Sequence, residues 1–180
     1  MSRREEILGT AALLFAQRGF HGVSMAELGA ACGISGPALY KHFAGKEAIL
    51  AEMLVQISEQ LLAEGRRRVR GQSRAEALRA LVDWHVSFAL KHRELIVVQD
   101  RDWSSLPDDA REQVRELQRK YVEVWVRVLR SIRKDLRVPE ARAMVHAMFG
   151  LLNSTPHSAL LQDEEMRDVL ARMGRASLLA

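Results

Sequence analysis

The sequence lacks several features that would identify common protein classes. Among its 180 residues there is one cysteine, Cys32, which excludes an internal disulfide and a cysteine-rich zinc site. No apolar run approaches the ~20 residues of a membrane helix, and the first residues, MSRREEIL, lack the apolar stretch of a signal peptide. We therefore expect a protein without membrane segments that stays in the cytoplasm.

The chain also lacks a strong excess of charge of one sign. Its 27 Lys and Arg residues exceed its 23 Asp and Glu residues by only +4, and this excess is spread along the chain. Bulk charge is therefore weak evidence for nucleic-acid binding, and the position of individual basic residues must decide. With 48% hydrophobic and 28% charged residues, the composition is that of a globular protein with a buried core.

Motifs of catalysis are missing as well. The six histidines show no His-Glu-x-x-His spacing, and neither a glycine-rich phosphate loop nor a nucleophile elbow is present. Metal or nucleophilic catalysis has no support, so we expect no enzyme, no metal site and no cofactor.

The pattern that is present is helical almost throughout. Apolar residues recur three and four positions apart, and no segment alternates as a strand would. The first helix covers residues 3–18 and ends at Gly19, and Ser24 with Glu27 forms a capping box that starts the second. Ser35 caps a third helix, with Pro37 in its first turn. The fold class is predicted to be all-α, with a helix-turn-helix domain followed by a larger helical domain.

The remaining helices are longer. A fourth begins near Lys46, and the stretch 64–73, which contains two glycines, is interpreted as a break and boundary after it. Another helix runs from a capping box at Ser73 to about residue 93, and the longest covers roughly 107–135. Pro139 opens a further helix, and Asp163 caps the last.

The third helix has an apolar inner side and a nearly bare outer side. At 100° per residue, Leu39 and Phe43 face inward with Gly36, whereas Pro37, Ala38 and Lys41 lie opposite, with Tyr40 and His42 on the flanks. A small centre with hydrogen-bonding edges fits the DNA major groove, where the centre approaches bases and the flanks reach phosphates. The glycine-bearing turn CGIS before it is typical of a helix-turn-helix.

The run ILGTAALLFAQRGFHGVSMAELGAACGISGPALYKHFAGKEAIL, residues 7–50, resembles the DNA-binding domain of the TetR family of transcriptional regulators. The resemblance implies that three N-terminal helices bind DNA, that the fourth connects to a helical ligand-binding domain, and that the last two helices pair the subunits of a dimer. We accordingly place a DNA-binding domain at residues 1–46 and a ligand-binding and dimerisation domain at 47–180. The resemblance further implies that the protein is a ligand-responsive regulator, most often a repressor that a small molecule releases from a palindromic operator.

The sequence departs from the family pattern at four positions. Gly29 stands where the family usually has alanine, which is expected to cost about 1 kcal/mol of helix stability. Gly36, Pro37 and Ala38 replace longer polar side chains, so DNA recognition should depend on thymine methyl groups, close backbone approach and DNA shape. The predicted DNA-binding residues are Ser24, Ser35, Gly36, Pro37, Ala38, Tyr40, Lys41, His42 and Lys46.

Two basic segments have alternative interpretations. Arg3 and Arg4 are either an arm that reaches the minor groove or a solvated, frayed terminus, the commoner case. The arginines of residues 66–70 are more simply a solvated linker than a DNA contact.

The aromatic and polar residues of the second half are candidates for an effector cavity, although aromatic residues at helical spacing are commonly core. The predicted ligand-binding residues are Trp84, His85, Phe88, Trp103, Tyr121, Trp125 and Asn153. Their chemistry, with the faint likeness to lipid-metabolism regulators of the family, suggests a lipid-like or acyl-CoA effector.

A dimer is expected because one DNA-reading helix covers only a few base pairs, whereas a two-fold pair covers a palindrome. The predicted seam consists of Met144, Met148, Phe149, Leu152, Val169, Leu170 and Met173. The alternative function is that of a helical scaffold or partner-binding protein without sequence-specific DNA binding, which leaves the Tyr40, Lys41 and His42 pattern unexplained.

Overall fold

The computed structural model describes residues 2–158 and 160–180, and the regular structure in these residues is helical, with no strand. The prediction of an all-α fold is confirmed. In chain order the helices are α1 (Arg3–Arg18), α2 (Met25–Ala31), α3 (Gly36–Tyr40), α4 (Lys46–Val69), α5 (Arg74–Lys91), α6 (Arg93–Asp102), α7 (Asp108–Ile132), α8 (Val138–Leu152), α9 (Thr155–Ser158) and α10 (Asp163–Leu179). A 3-10 turn, Trp103–Ser105, lies between α6 and α7.

Capping side chains set the starts of the predicted helices. The Ser24 hydroxyl accepts a hydrogen bond from the Glu27 amide at 3.2 Å, and the Glu27 carboxylate accepts one from the Ser24 amide at 2.8 Å. Ser73 and Glu76 repeat this reciprocal pair at the start of α5. Ser35 caps α3 through a 3.3 Å bond. Each cap satisfies amides that have no partner within the helix, so the local sequence suffices to place these starts.

The described chain divides into two compact units. The first comprises the residues up to Ile57 together with Glu94–Arg115, and the second comprises Ser58–Arg93 together with the described residues from Glu116 onward. The proposed domain boundary at residues 46/47 falls at the first residues of α4, a single helix that supplies residues to both units. That boundary stays a proposal.

The first unit has a core of aromatic and aliphatic side chains from α1 to α4. Burying each large apolar side chain stabilises the unit by about 1.5–3 kcal/mol. Arg101 of α6 belongs to the same unit and donates hydrogen bonds to the carbonyls of Phe15 and Ala16. The Phe15 carbonyl also accepts a hydrogen bond from the Gly19 amide, whereas the Ala16 carbonyl is among the last of α1, so Arg101 adds a side-chain cap to that helix end. The core includes Ile7, Ala11, Phe15, Phe20, Leu28, Leu39, Phe43, Ile49 and Leu50.

The second unit packs α5, α7, α8 and α10 around Leu81, Val82, Trp125, Leu129 and Val145, which are all fully buried. The predicted break at 64–73 is wrong over its first half, because α4 continues to Val69. The chain turns at Gly71, whose φ of +70° is in the left-handed region that favours glycine.

Gly65 remains helical for a packing reason. A Cβ added to it would lie 2.6 Å from the Tyr121 ring, closer than real Cβ contacts allow. The glycine therefore lets the ring of α7 lie against the backbone of α4. The sequence alone shows a helix breaker at this position, whereas the structure shows a close contact.

Candidate DNA interface and effector site

The turn between α2 and α3 depends on two glycines. Gly33 has φ of +67°, and the Ile34 amide donates a hydrogen bond to the Gly29 carbonyl at 2.9 Å. A Cβ on Gly29 would lie 2.9 Å from the Ile34 carbonyl oxygen, so the absent side chain lets the turn fold back against α2. Besides lowering helix propensity, Gly29 therefore allows the tight approach that sets the start of α3.

The two sides of α3 differ as the helical periodicity predicts, except at Gly36, which was predicted to face inward but where an added Cβ would meet open space. Leu39 is fully buried and Phe43 is 2% exposed, so both anchor α3 and the turn after it to the core. Tyr40 is 55% exposed, and Pro37 and Lys41 also face solvent. These three side chains form an exposed face on an anchored helix, with the half-buried Gly36 and Ala38 beside them. Their contact with DNA stays a prediction.

Arg4 connects α1 to the turn that follows α3, a role that the sequence analysis missed. Its guanidinium donates to the His42 carbonyl, pairs with Glu52 through a 2.6 Å Nε–Oε1 bond, and lies 4.0 Å from the centre of the Phe43 ring. The Arg3 guanidinium donates to the Cys32 carbonyl at 2.5 Å. In this structure neither arginine is a free arm or a frayed terminus. The sequence gives no local sign of this role, because Arg4 and its partner Glu52 are 48 residues apart.

Three of the predicted DNA-binding side chains already have partners within the first unit. The Lys46 ammonium donates to the Phe20 carbonyl at 2.9 Å and lies 4.6 Å from that ring's centre. The Ser24 hydroxyl is shared with Glu27 at 2.7 Å, and Ser35 is the α3 cap. Lys46 has three N–H donors, so two remain for a phosphate. Ser24 would have to exchange its present bond, and its predicted role is accordingly the weaker one.

In the second unit, His85 joins a buried polar chain. Its Nδ1 lies 3.2 Å from the Tyr121 hydroxyl and its Nε2 lies 3.0 Å from Asn153 Oδ1. Burial lowers the pKa of His85 to about 4, with a partial offset from the Asn153 bond, and burial raises the pKa of Tyr121. The hydroxyl thus stays protonated and donates to Nδ1, while the Nε2–H of neutral His85 donates to Asn153.

Aromatic rings surround this chain. The Phe149 ring stacks on His85 with centres 4.6 Å apart, and Trp125 meets Phe149 edge-on at 5.2 Å. Phe88 lies 5.6 Å from His85. The structure therefore brings together five of the predicted ligand-binding residues, namely His85, Phe88, Tyr121, Trp125 and Asn153, which we call the His85 cluster.

Unpartnered donors lie in the same unit. The Trp84 and Trp125 indole nitrogens are buried and make no hydrogen bond to a described residue. The Arg68 guanidinium lies 4.9 Å from the Trp84 ring and 3.5 Å from the Glu64 carboxylate. Both indole nitrogens are donors, so a ligand that matches them must supply acceptors.

Two segments of the chain match known families. Residues 7–53 match "Bacterial regulatory proteins, tetR family", and residues 71–157 match "Tetracyclin repressor-like, C-terminal domain". The chain is 33% identical over 150 residues to the HTH-type transcriptional repressor KstR2 of Mycolicibacterium smegmatis, covering 76% of this chain and 71% of that protein. The chain belongs to the TetR family.

A second relative and two solved structures are also similar to the chain. The KstR2 of Rhodococcus jostii is 30% identical over 135 residues, which are 74% of this chain and 66% of that protein. The crystal structure of the TetR-family regulator PfmR from Thermus thermophilus superposes with a TM-score of 0.84 at 25% identity, covering 99% and 96% of the two chains. AibR, solved with isovaleryl coenzyme A and operator DNA, has a TM-score of 0.77 at 23% identity, covering 96% and 97%. In this TetR-family protein, α2 and α3 form the helix-turn-helix.

The structure corrects part of the predicted TetR-type dimer seam. Met148, Leu152 and Leu170 are at most 2% exposed within one chain, because the most apolar sides of α8 and α10 face their own core. The Phe149 ring is instead stacked on His85. Met173 is 46% exposed and the remaining predicted members, Met144 and Val169, are half-buried.

Two predicted ligand residues need separate description. Trp84 is half-buried beside Arg68, as given above, whereas Trp103 lies in the first unit, where the Arg115 guanidinium is 5.8 Å from its ring. Trp103 is therefore not part of the His85 cluster. Within residues 2–158 and 160–180, no helix has the length and apolarity to cross a membrane, and no group of three acidic, His or Cys residues could hold a metal ion.

Proposed function

We propose that this TetR-family protein is a repressor that binds a palindromic operator as a homodimer and leaves it when a small hydrophobic or acyl-type effector binds. The observation that carries the proposal is the α3 face. Tyr40, Pro37 and Lys41 are exposed on a helix whose opposite side is anchored by buried Leu39 and Phe43. An anchored helix with a solvent-facing polar side is suited to the major groove.

The side chains of this face define the expected contacts. Pro37 and Ala38 are small enough for the backbone to approach base edges and to meet thymine methyl groups. Among the described residues, the Lys41 ammonium has no ion pair and no hydrogen bond, so it is available to contact a phosphate, and the Tyr40 hydroxyl can donate to another. With few base-specific polar groups, much of the affinity comes from phosphates and will fall steeply with salt.

The proposed effector site is the His85 cluster with Trp84. Its rings offer apolar walls, and the unpartnered indole nitrogens require acceptors, so the matching ligand combines an apolar body with carbonyl oxygens. An acyl thioester has that composition. The isovaleryl coenzyme A in the AibR complex supports this class for a protein of the same fold.

The proposed dimer seam uses the outer sides of α8 and α10. On α8 these carry Ala143, Ala147 and Gly150, all exposed, and on α10 they carry Met173. Small residues let two helices approach closely, and an exposed methionine adds apolar area to the contact. Met173→Asp is expected to give monomers in analytical ultracentrifugation. Leu13→Asp, at a similarly exposed apolar residue of α1, is the control that should stay dimeric, and a dimeric Met173→Asp protein would contradict the seam.

The DNA proposal is tested by selecting genomic fragments with the purified protein and measuring their affinity with excess nonspecific competitor. We expect one or a few palindromic fragments to be retained, with Tyr40→Phe weakening their binding several-fold. Retention of no fragment at low salt would favour the scaffold alternative. His157→Gln, a change at an exposed histidine of α9, is the control and should bind as the wild type does.

The effector proposal is tested with ring-conserving substitutions. Trp84→Phe and Trp125→Phe each remove one N–H donor and keep an aromatic ring. In a thermal-shift series of acyl-CoA thioesters, the wild type should be stabilised by at least one chain length, and both variants should need higher concentrations. Trp103→Phe should respond as the wild type does. Stabilisation that is equal in all four proteins would show that these donors do not touch the effector.

A further inference from the structure

A second concave site in the second unit has no role in the regulator proposal. It is a surface pocket of about 360 Å³ between the end of α4 and one side of α7. Its apolar floor is made by Val69, Val124 and Val128, of which the last two are at most 9% exposed. Its remaining lining residues are Arg66, Arg70, Lys120, Glu123 and Arg127.

The positive charges that line this pocket are not neutralised by acidic residues of the pocket. Glu123 is its one acidic residue, and its carboxylate is already paired with Arg142 of α8. Lys120 is paired with Glu116 at 3.1 Å. In the described part of the chain, Arg66, Arg70 and Arg127 have no ion pair and no side-chain hydrogen bond. Three unpaired guanidinium groups therefore share one pocket.

The neighbouring arginines of α4 show that pairing is available nearby. Arg67 and Arg68 both pair with Glu64, at 2.6 Å and 3.5 Å. Arg66 and Arg70 lie away from that carboxylate. They are four residues apart and therefore lie on the same side of the helix end. The arginine-rich segment is thus divided into a paired side and an unpaired side, and only the unpaired side lines the pocket. A uniformly solvated linker would not show this division.

Three cations around a concave, partly apolar surface favour a multiply charged anion. A cleft lined by charges of one sign concentrates its electric field and raises the local concentration of counter-ions. The planar guanidinium fork matches pairs of phosphate oxygens, and such charge-assisted pairs are stronger than neutral hydrogen bonds. The valine floor adds room for an apolar portion of the same ligand.

We propose that this pocket binds the phosphate groups of a small phosphorylated molecule, with Arg66, Arg70 and Arg127 as the phosphate ligands. The site is distinct from the His85 cluster and from the α3 face in its residues, so the proposal does not depend on the regulator function.

The test uses inorganic pyrophosphate as the probe, measured by isothermal titration calorimetry on the full-length protein. We expect one pyrophosphate per chain, and at least tenfold weaker binding to the double variant Arg66→Gln with Arg127→Gln. The matched control is Arg172→Gln, which removes an exposed arginine of α10 that also lacks an ion pair among the described residues. It should bind as the wild type does. Acetate at equal ionic strength should not displace the probe.

Three results would overturn the proposal. The first is no detectable pyrophosphate binding to the wild type. The second is equal weakening by the double variant and by Arg172→Gln, which would indicate bulk charge. The third is displacement of the probe by a short DNA duplex together with a matching loss of duplex affinity in the double variant, which would assign these arginines to nucleic acid. Circular dichroism of each variant verifies that it is folded.

Discussion

Replacement of His85 should remove a specific part of the acid sensitivity of folding. Burial holds the pKa of folded His85 at about 4, whereas in the unfolded chain it is near the ordinary 6.5. As pH falls below 6.5, the unfolded state binds a proton that the folded state does not, so stability is lost between about pH 6.5 and pH 4. The full difference corresponds to roughly 3 kcal/mol, of which about 2 kcal/mol is lost by pH 5.

The assay is urea unfolding at pH 7.5 and pH 5.0 at one protein concentration. In the wild type, the free energy of unfolding should fall by about 2 kcal/mol more between these pH values than it does in His85→Gln. The packing cost of the substitution is the same at both pH values, so it cancels when the loss of unfolding free energy between pH 7.5 and pH 5.0 is compared between the variant and the wild type. His157→Gln, a change at an exposed histidine of α9, should keep the wild-type loss. An equal loss in His85→Gln and the wild type would refute the assignment of a buried, neutral His85.

Two other predictions concern the helix-turn-helix. Gly29→Ala should lower the free energy of unfolding by about 1 kcal/mol in urea melts, because overpacking against the Ile34 carbonyl exceeds the gain in helix propensity. Gly9→Ala, with open space around its Cβ, should instead stabilise, and stabilisation by both would refute the tight turn. Arg4→Gln should weaken operator binding several-fold in fluorescence anisotropy without changing its salt dependence, because Arg4 positions the turn after α3. A reduced salt dependence would favour an arm in the minor groove.

Local sequence signals were sufficient where a helix start depends on neighbouring residues. The caps at Ser24, Ser35 and Ser73 each involve a partner three residues away, so the spacing alone predicts them. The helix predicted at roughly 107–135 is α7, Asp108–Ile132. The buried side of α3 followed from helical periodicity in the same way.

Signals that depend on contacts distant in the chain were missed. The sequence analysis predicts no helix at α6, Arg93–Asp102, where four apolar residues, 95–98, follow one another without the spacing of a helix face. Gly65 was interpreted as a helix breaker because its contact with Tyr121 comes from a residue 56 positions away in the chain.

The candidate sites show the same limit. The partners of Arg4 and Lys46 cannot be read from local spacing, and both turned out to be engaged within the first unit. The dimer seam was placed on the most apolar sides of the last helices, but Met148 and Leu170 show that those sides form the core of their own chain. Amphipathicity identifies the buried side of a helix without identifying what covers it.

The most direct test of the central claim is the salt dependence of operator binding in Lys41→Ala. If the outer face of α3 lies on DNA as a dimer, the loss of one phosphate contact per subunit should reduce the slope of log affinity against log salt by about 2. Lys134→Ala, at an exposed lysine after α7, should leave the slope unchanged. Equal slopes in Lys41→Ala and the wild type would contradict the account.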